Sequence, residues 1–407
     1  MRPFSYLMKT GALALGTALV ALQPLHADEK EVWRLFIADH SEPVLRALDA
    51  EKGAVLETFP LESPARLYAT ESNETVFAVQ RDANTITAFS TGIHFDDHGD
   101  HADMEVTEPK ALEGSVDGDR PVHFVAHHGE IALFFDGEGV ARLVSEKSIS
   151  EGKPDIREIR TPAPHHGVVI PFGAHAIATV PNSKDPSELP DSVQVVDAKG
   201  TAIGDPAACP GLHGEATSGN ITAIACDTGL LLITGGRNDV PKIRHMAYSD
   251  GLPDDLKVST LAGGKALQYF LGNFGKSNLV LIDPEDEDAF RLIELPVRAV
   301  HFVVDPVRPK FAYVFTEDGK LNRINVLSGK IDQSLELTAP YSMDGHWSDP
   351  RPRIAVTHDE IMVTDPLKSV VHAIDAASFE KARDIAVEGM PYNIVAVGGS
   401  GESHENH

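Results

Sequence analysis

The chain has 407 residues and sets 35 Lys and Arg against 61 Asp and Glu, a formal charge of −26. That balance excludes nucleic acid as a partner, because phosphate binding needs a basic patch. It favours cations electrostatically, and the length leaves room for a large core.

Residues 1–27 read as a secretory signal peptide. Arg2 and Lys9 give a positive start, GALALGTALVAL (11–22) is a short apolar run, and Leu25-His26-Ala27 is a small-residue cleavage site. The run is too short to span a bilayer comfortably, and no later stretch approaches twenty apolar residues. The expectation is a soluble protein exported to the periplasm, mature from about Asp28, with no membrane contact in its mature form. Loss of residues 1–27 takes the charge from −26 to −28.

From there on short alternating or β-branched runs dominate. They include VWRLFIAD (32–39), TVFAVQ (75–80), TITAFS (85–90), EIALFF (130–135), SVQVVD (192–197), ITAIAC (221–226), NLVLID (278–283), KFAYVF (310–315) and EIMVTD (360–365). Turn formers separate them, among them Asp49–Gly53 and the Asp-Gly pairs at 136–137 and 318–319. This is an all-β pattern. Equivalent positions fall at Arg66, His123, His166, His213, Ser259, His301, His346 and Tyr392, separated by 57, 43, 47, 46, 42, 45 and 46 residues. A period near 45 with four strands per unit predicts a single β-propeller. Eight anchors predict eight blades, with seven as the alternative. The segment before Arg66 supplies three strands and the last anchor only one, so both ends of the chain should share a blade. The expected organisation is a propeller over 28–400, an inserted loop at about 92–106, and a tail over 401–407.

The long first separation has about twelve residues in excess, the length of GIHFDDHGDHAD (92–103). That loop offers His94, Asp97, His98 and His101, a mixed imidazole and carboxylate set that suits Zn2+. A solvated acidic loop is the competing reading. Gly99 and the clustered aspartates argue against a helix there. The tail adds His404 and His407. Five of the eight anchors are histidine: His123, His166, His213, His301 and His346. Inner strands line a propeller's channel, so histidines on adjacent blades can converge on one ion. His123, His166 and His213 sit on consecutive blades, with His301 and His346 on two others, which predicts two sites or one site plus a bystander pair. His165 can replace His166 as donor, while His127 and His128 read as surface histidines. Glu215, Asp344 and Asp349 are carboxylates near these positions. Cys209 and Cys226 are expected to form one disulfide, two buried thiols being the alternative.

HExxH, GxSxG, Walker A and the Rossmann fingerprint are all absent, so no enzymatic turnover is expected. The signal peptide, the GIHFDDHGDHAD loop and the segments PVHFVAHHGE, APHHGV, CPGLHG, RAVHFVVDP and MDGHWSDP together resemble the AztD family of periplasmic zinc metallochaperones. The likeness covers most of the mature chain. It implies a β-propeller, zinc sites built chiefly from histidine with carboxylate help, and delivery of zinc to the solute-binding protein of a zinc ABC importer. It carries over to the five channel histidines and, with less support, to the loop. The chain is expected to act as a monomer. Two other readings remain: a lactonase-like propeller metallohydrolase that activates water on a channel metal, and a protein-binding scaffold in which the histidines are incidental.

Overall fold

The apolar runs are nearly continuous because each strand packs on both faces. In Glu130–Phe135, Ile131, Leu133 and Phe135 join one buried cluster and Ala132 and Phe134 join another. In Glu29–Asp39, Leu35 and Ile37 face one way and Phe36 and Ala38 the other. Side chains alternate across a strand, so a sheet that is apolar on both faces must be sandwiched between two others. Repeated round a ring, this is a propeller.

The computed structural model describes residues 29–98, 102–237 and 239–402. They form eight sheets, one per blade and antiparallel but for one pairing, with a hydrophobic cluster between each neighbouring pair. The blade count is therefore eight. The ring closes as expected from the sequence. The strand Pro391–Glu402 pairs with Glu29–Asp39, and Val44–Asp49 and Val55–Pro60 complete the blade. Among the described residues the helical content is one α-turn, Glu146–Ser150, and one 3-10 turn, Arg81–Ala83. No described helix is long and apolar enough to cross a membrane. Residues 1–27, expected to be a signal peptide, lie outside the described residues.

Four antiparallel strands return the chain to the face it left, so every inner strand starts on one face and ends on the other. We call these the upper and lower faces. The anchors fall within three residues of the inner-strand starts for Pro121–His127, Val169–Phe172, Glu215–Ser218 and Ala299–Val304, His123 and His301 inside their strands and His166 and His213 just ahead. Blade eight differs. Its inner strand is only Ile354–Val356, so His346 lies well ahead of it in the crossing segment.

The insertion after Thr85–Ser90 is not an open loop. Ile93–Asp97 and Ala102–Val106 form a hairpin, and the second strand pairs with the end of the closing strand at Asp103↔Glu402. Arg34 is buried and its guanidinium grips the carbonyls of Thr91 and Thr107 at the hairpin base. Gly92, at φ +69°, passes so close to Arg34 and the Thr107 carbonyl that a side chain would collide with both. Since the closing strand ends on the lower face, the hairpin lies there too.

Cys209 and Cys226 form a disulfide. It fixes the segment crossing from blade four to blade five. The backbone N–H of Asp227 donates to Pro210 and that of His213 to Ala225, so His213 is stitched down at both sides. Closing a loop of this length is worth about 3 kcal/mol. Replacing both cysteines by Ala should lower unfolding stability by about that amount in denaturant titrations.

Candidate metal centre

Three of the predicted histidines come together near the upper face. His123 Nε2 and His166 Nε2 are 3.3 Å apart, with ring centroids at 4.8 Å. His213 is the third, its ring centroid 5.7 Å from that of His166. Each ring has a second partner that sets its tautomer. His166 Nδ1 donates to Asp136 Oδ2 at 2.7 Å. His213 Nδ1 donates to the Ser259 carbonyl at 2.8 Å. His123 Nδ1 faces Glu215 Oε1 at 3.6 Å. With the Nδ1 protons of His166 and His213 spent on these acceptors, their Nε2 lone pairs are the ones left to point inward.

The two Nε2 atoms stand at hydrogen-bond distance, and the same spacing suits two donors on one ion. A tetrahedral Zn2+ with Zn–N bonds of about 2.0–2.1 Å holds its donor nitrogens about 3.3 Å from one another. A buried oxygen gives an independent sign. Asp136 is 6 % exposed, yet its Oδ1 has no hydrogen-bond partner among the described residues. A half-satisfied buried carboxylate is costly, and a cation beside His166 would offset that cost. The donor set therefore fits Zn2+, and the carboxylate–imidazole and carbonyl–imidazole pairs are the outer partners that zinc histidines typically have.

Electrostatics separate the rings. Burial opposes protonation of His123, but the hydrogen bond and charge of Glu215, with Asp136 behind, raise its pKa above the ordinary value. Burial lowers that of His213, against the Ser259 bond. His123 is thus held by anions, while His213 stays neutral and ready to donate.

The other predicted donors are used differently. His165 is 5 % exposed; its Nδ1 donates to Ala163 and its Nε2 accepts from Thr179 Oγ1 at 2.8 Å, so neither nitrogen is left for a metal. His301 Nδ1 accepts the Ile354 N–H at 3.0 Å, which places the proton of its neutral ring on Nε2. Burial, then Arg353, pushes its pKa well below the ordinary value. His301 braces blade seven against blade eight. His346 is exposed, with Nδ1 on Ser348 Oγ. Asp349 accepts its backbone N–H, and Asp344 pairs with Arg298. The structure does not bring His301 and His346 into one donor set. On the hairpin, His94 Nδ1 meets Glu74 at 2.8 Å, and His98 Nε2 lies 3.2 Å from Asp103 and 3.8 Å from Asp96. Asp97 ends the first hairpin strand. His101, His404 and His407 lie outside the described residues.

Among the described residues, a set of three donors all within 4.8 Å of one another is Glu31, His358 and Asp359, and all three are exposed. The channel trio is wider at His213. The channel trio is nevertheless the stronger candidate. Exposed acidic groups gather without metal, whereas two of the channel rings have an acceptor on Nδ1 and a buried, unsatisfied carboxylate stands beside them. Asp136 is the residue the sequence reading missed. Its Asp-Gly pair read as a turn former, and nothing in the sequence ties it to a histidine thirty positions later.

No protein-family model matches the chain. It is 52 % identical over 397 residues to the zinc chaperone AztD of Citrobacter koseri, covering 97 % of this chain and 94 % of that protein. A crystal structure of Citrobacter koseri AztD aligns with a TM-score of 0.90 at 53 % identity, covering 92 % of this chain and 100 % of that one. Apo AztD from the same organism aligns at 0.88 and 52 %, covering 91 % and 99 %. The dihydro-heme d1 dehydrogenase NirN aligns at 0.57 with 12 % identity, covering 89 % of this chain and 74 % of that one, and shares the fold alone.

Two tests follow from this geometry. Asp136→Asn removes the anchor of the His166 tautomer, and it should weaken zinc binding by about 10–100-fold in chelator competition while leaving the melting temperature nearly unchanged. The second concerns pH. His127 is 3 % exposed, and burial, with the His128 charge, lowers its pKa from 6.5 to about 4. Between those values the unfolded chain takes up a proton that the folded chain refuses. Stability should therefore fall as pH drops through this window, by on the order of 3 kcal/mol from this residue. His165, His213 and His301 are also lowered and act in the same direction; His123 is raised and acts against them. Denaturant titrations across the window should show the loss, and His127→Gln should flatten it.

Proposed function

This chain belongs to the AztD family of zinc chaperones, and we propose that its channel holds one Zn2+ between His123, His166 and His213 for transfer to a zinc-importing system in the periplasm. The observation that supports this most directly is the pair of Nε2 atoms at 3.3 Å, each ring with a carboxylate on its far side. The acceptor is the solute-binding protein of a zinc ABC importer, and no catalytic turnover is involved.

Transfer proceeds by ligand exchange. Three imidazoles leave the fourth zinc position open, so an acceptor imidazole can bind before any donor leaves. His213 is the ring to release first. It stands farthest from the others and lacks a carboxylate partner, whereas His123 and His166 are each backed by one. The hairpin, with His94, His98 and His101, serves as a second, weaker collecting point. The mature chain begins after the signal peptide and works as a monomer.

Metal-stripped full-length protein should bind one zinc tightly at neutral pH by equilibrium dialysis and native mass spectrometry. His123→Ala, His166→Ala and His213→Ala should each weaken that site by more than about 100-fold. Changing His94, His98 and His101 to Ala should slow transfer more than it lowers the channel affinity. Tight binding that survives all three channel substitutions would reject the centre. Metal-dependent ester or lactone turnover would favour a hydrolase instead.

A further inference from the structure

The channel contains a cavity of about 550 Å³. At its inner end is Glu215, the carboxylate that faces His123. At its outer end, on the lower face, the lining is made by Glu71, His127, His128 and Lys265. The cavity therefore runs from the edge of the histidine centre to the face that carries the hairpin. His94 of the hairpin is bonded to Glu74, three residues from Glu71 in the same turn region.

His127 is prepared as a donor. Its Nδ1 lies 2.7 Å from the Pro171 carbonyl. A carbonyl only accepts, so the proton is on Nδ1 and Nε2 holds a lone pair. The ring is set between Phe172, at a centroid distance of 4.4 Å, and His128 at 4.0 Å. His128 occupies the turn at φ +55° and its carbonyl accepts from Arg237 at 3.0 Å, which fixes the turn. Two imidazoles and a glutamate at one end of a cavity and a glutamate at the other offer an ion replacement ligands as it sheds water. Lys265 is exposed at the same mouth and opposes a cation there.

We propose that this cavity is the passage by which Zn2+ reaches and leaves the histidine centre, and that His127 and His128 form a transit site at its mouth. The proposal rests on the zinc-holding reading given above. A passage acts on both directions of exchange. Altering it changes loading and release by the same factor and leaves the equilibrium affinity where it was. That separates a transit residue from a ligand of the centre, whose loss lowers affinity, and from a structural residue, whose loss lowers the melting temperature.

The test uses the full-length protein, zinc, and a chromophoric zinc chelator as acceptor in stopped-flow experiments. His128→Ala and His127→Gln should each slow loading and release roughly tenfold with unchanged affinity. Lys265→Gln should speed both. Rates unchanged in His128→Ala and Lys265→Gln, with tight zinc still lost in His166→Ala, would overturn the passage and leave the centre standing; the ion would then enter from the upper face, where the His166 side chain is 37 % exposed. Tight zinc retained in His166→Ala would overturn the centre itself. If His127→Gln proves unstable, the two exposed positions decide the matter alone.

Discussion

Everything in this molecule hangs on one antiparallel ladder, the pairing of Glu29–Asp39 with Pro391–Glu402, in register from Glu29↔Glu402 to Asp39↔Pro391. The two ends of the chain meet there without a covalent link. The ladder turns a row of eight sheets into a ring, and only a ring has a channel of fixed width. Leu35 and Ile37 on one side and Phe36 and Ala38 on the other are at most 1 % exposed. Burying large apolar side chains of this kind stabilises by about 1.5–3 kcal/mol each, so the seam is as well packed as any other blade interface. The ladder also overruns the blade. Its last pairs extend onto the lower face, where the hairpin docks through Asp103↔Glu402. One pairing thus sets both the spacing of the channel histidines and the position of the hairpin.

Within that ring, what stands behind a histidine decides whether it is free to act as a metal donor. A neutral imidazole offers one lone pair, and the acceptor on the other nitrogen decides where it points. Asp136 and Ser259 aim the lone pairs of His166 and His213 inward, and Glu215 stands beside His123. By contrast, Thr179 and Ala163 consume both nitrogens of His165, and the Ile354 N–H takes the free lone pair of His301. The same side chain has a free ring nitrogen in one blade and is a strut in another. The difference lies in partners contributed by other strands.

This explains what could be read from the chain beforehand. The period near 45 residues is written in side chains that must face two cores at once, so it survives in a single sequence. It gave the eight blades and the shared closing blade, and it picked out His123, His166 and His213 as neighbours. Even the Ser259 anchor was apt, since its carbonyl holds His213. The spacing failed where a crossing segment outgrew its repeat. His346 precedes an inner strand of three residues, Ile354–Val356, so its place in the series came from numbering and not from register. The hairpin looks like a loop in sequence because its strands are polar and Gly-interrupted, and the ladder that organises it lies three hundred residues away. Asp136 and the free lone pair of His127 were illegible for the same reason: each acquires its role from a residue on another blade.

The central claim is that one ion sits between three channel imidazoles. Anomalous diffraction at the zinc edge from crystals of the zinc-loaded protein tests it directly. A strong peak is expected about 2.0–2.1 Å from the Nε2 atoms of His123, His166 and His213. A zinc-loaded crystal with its principal peak at Glu31, His358 and Asp359 or on the hairpin, and none between the channel histidines, would contradict it.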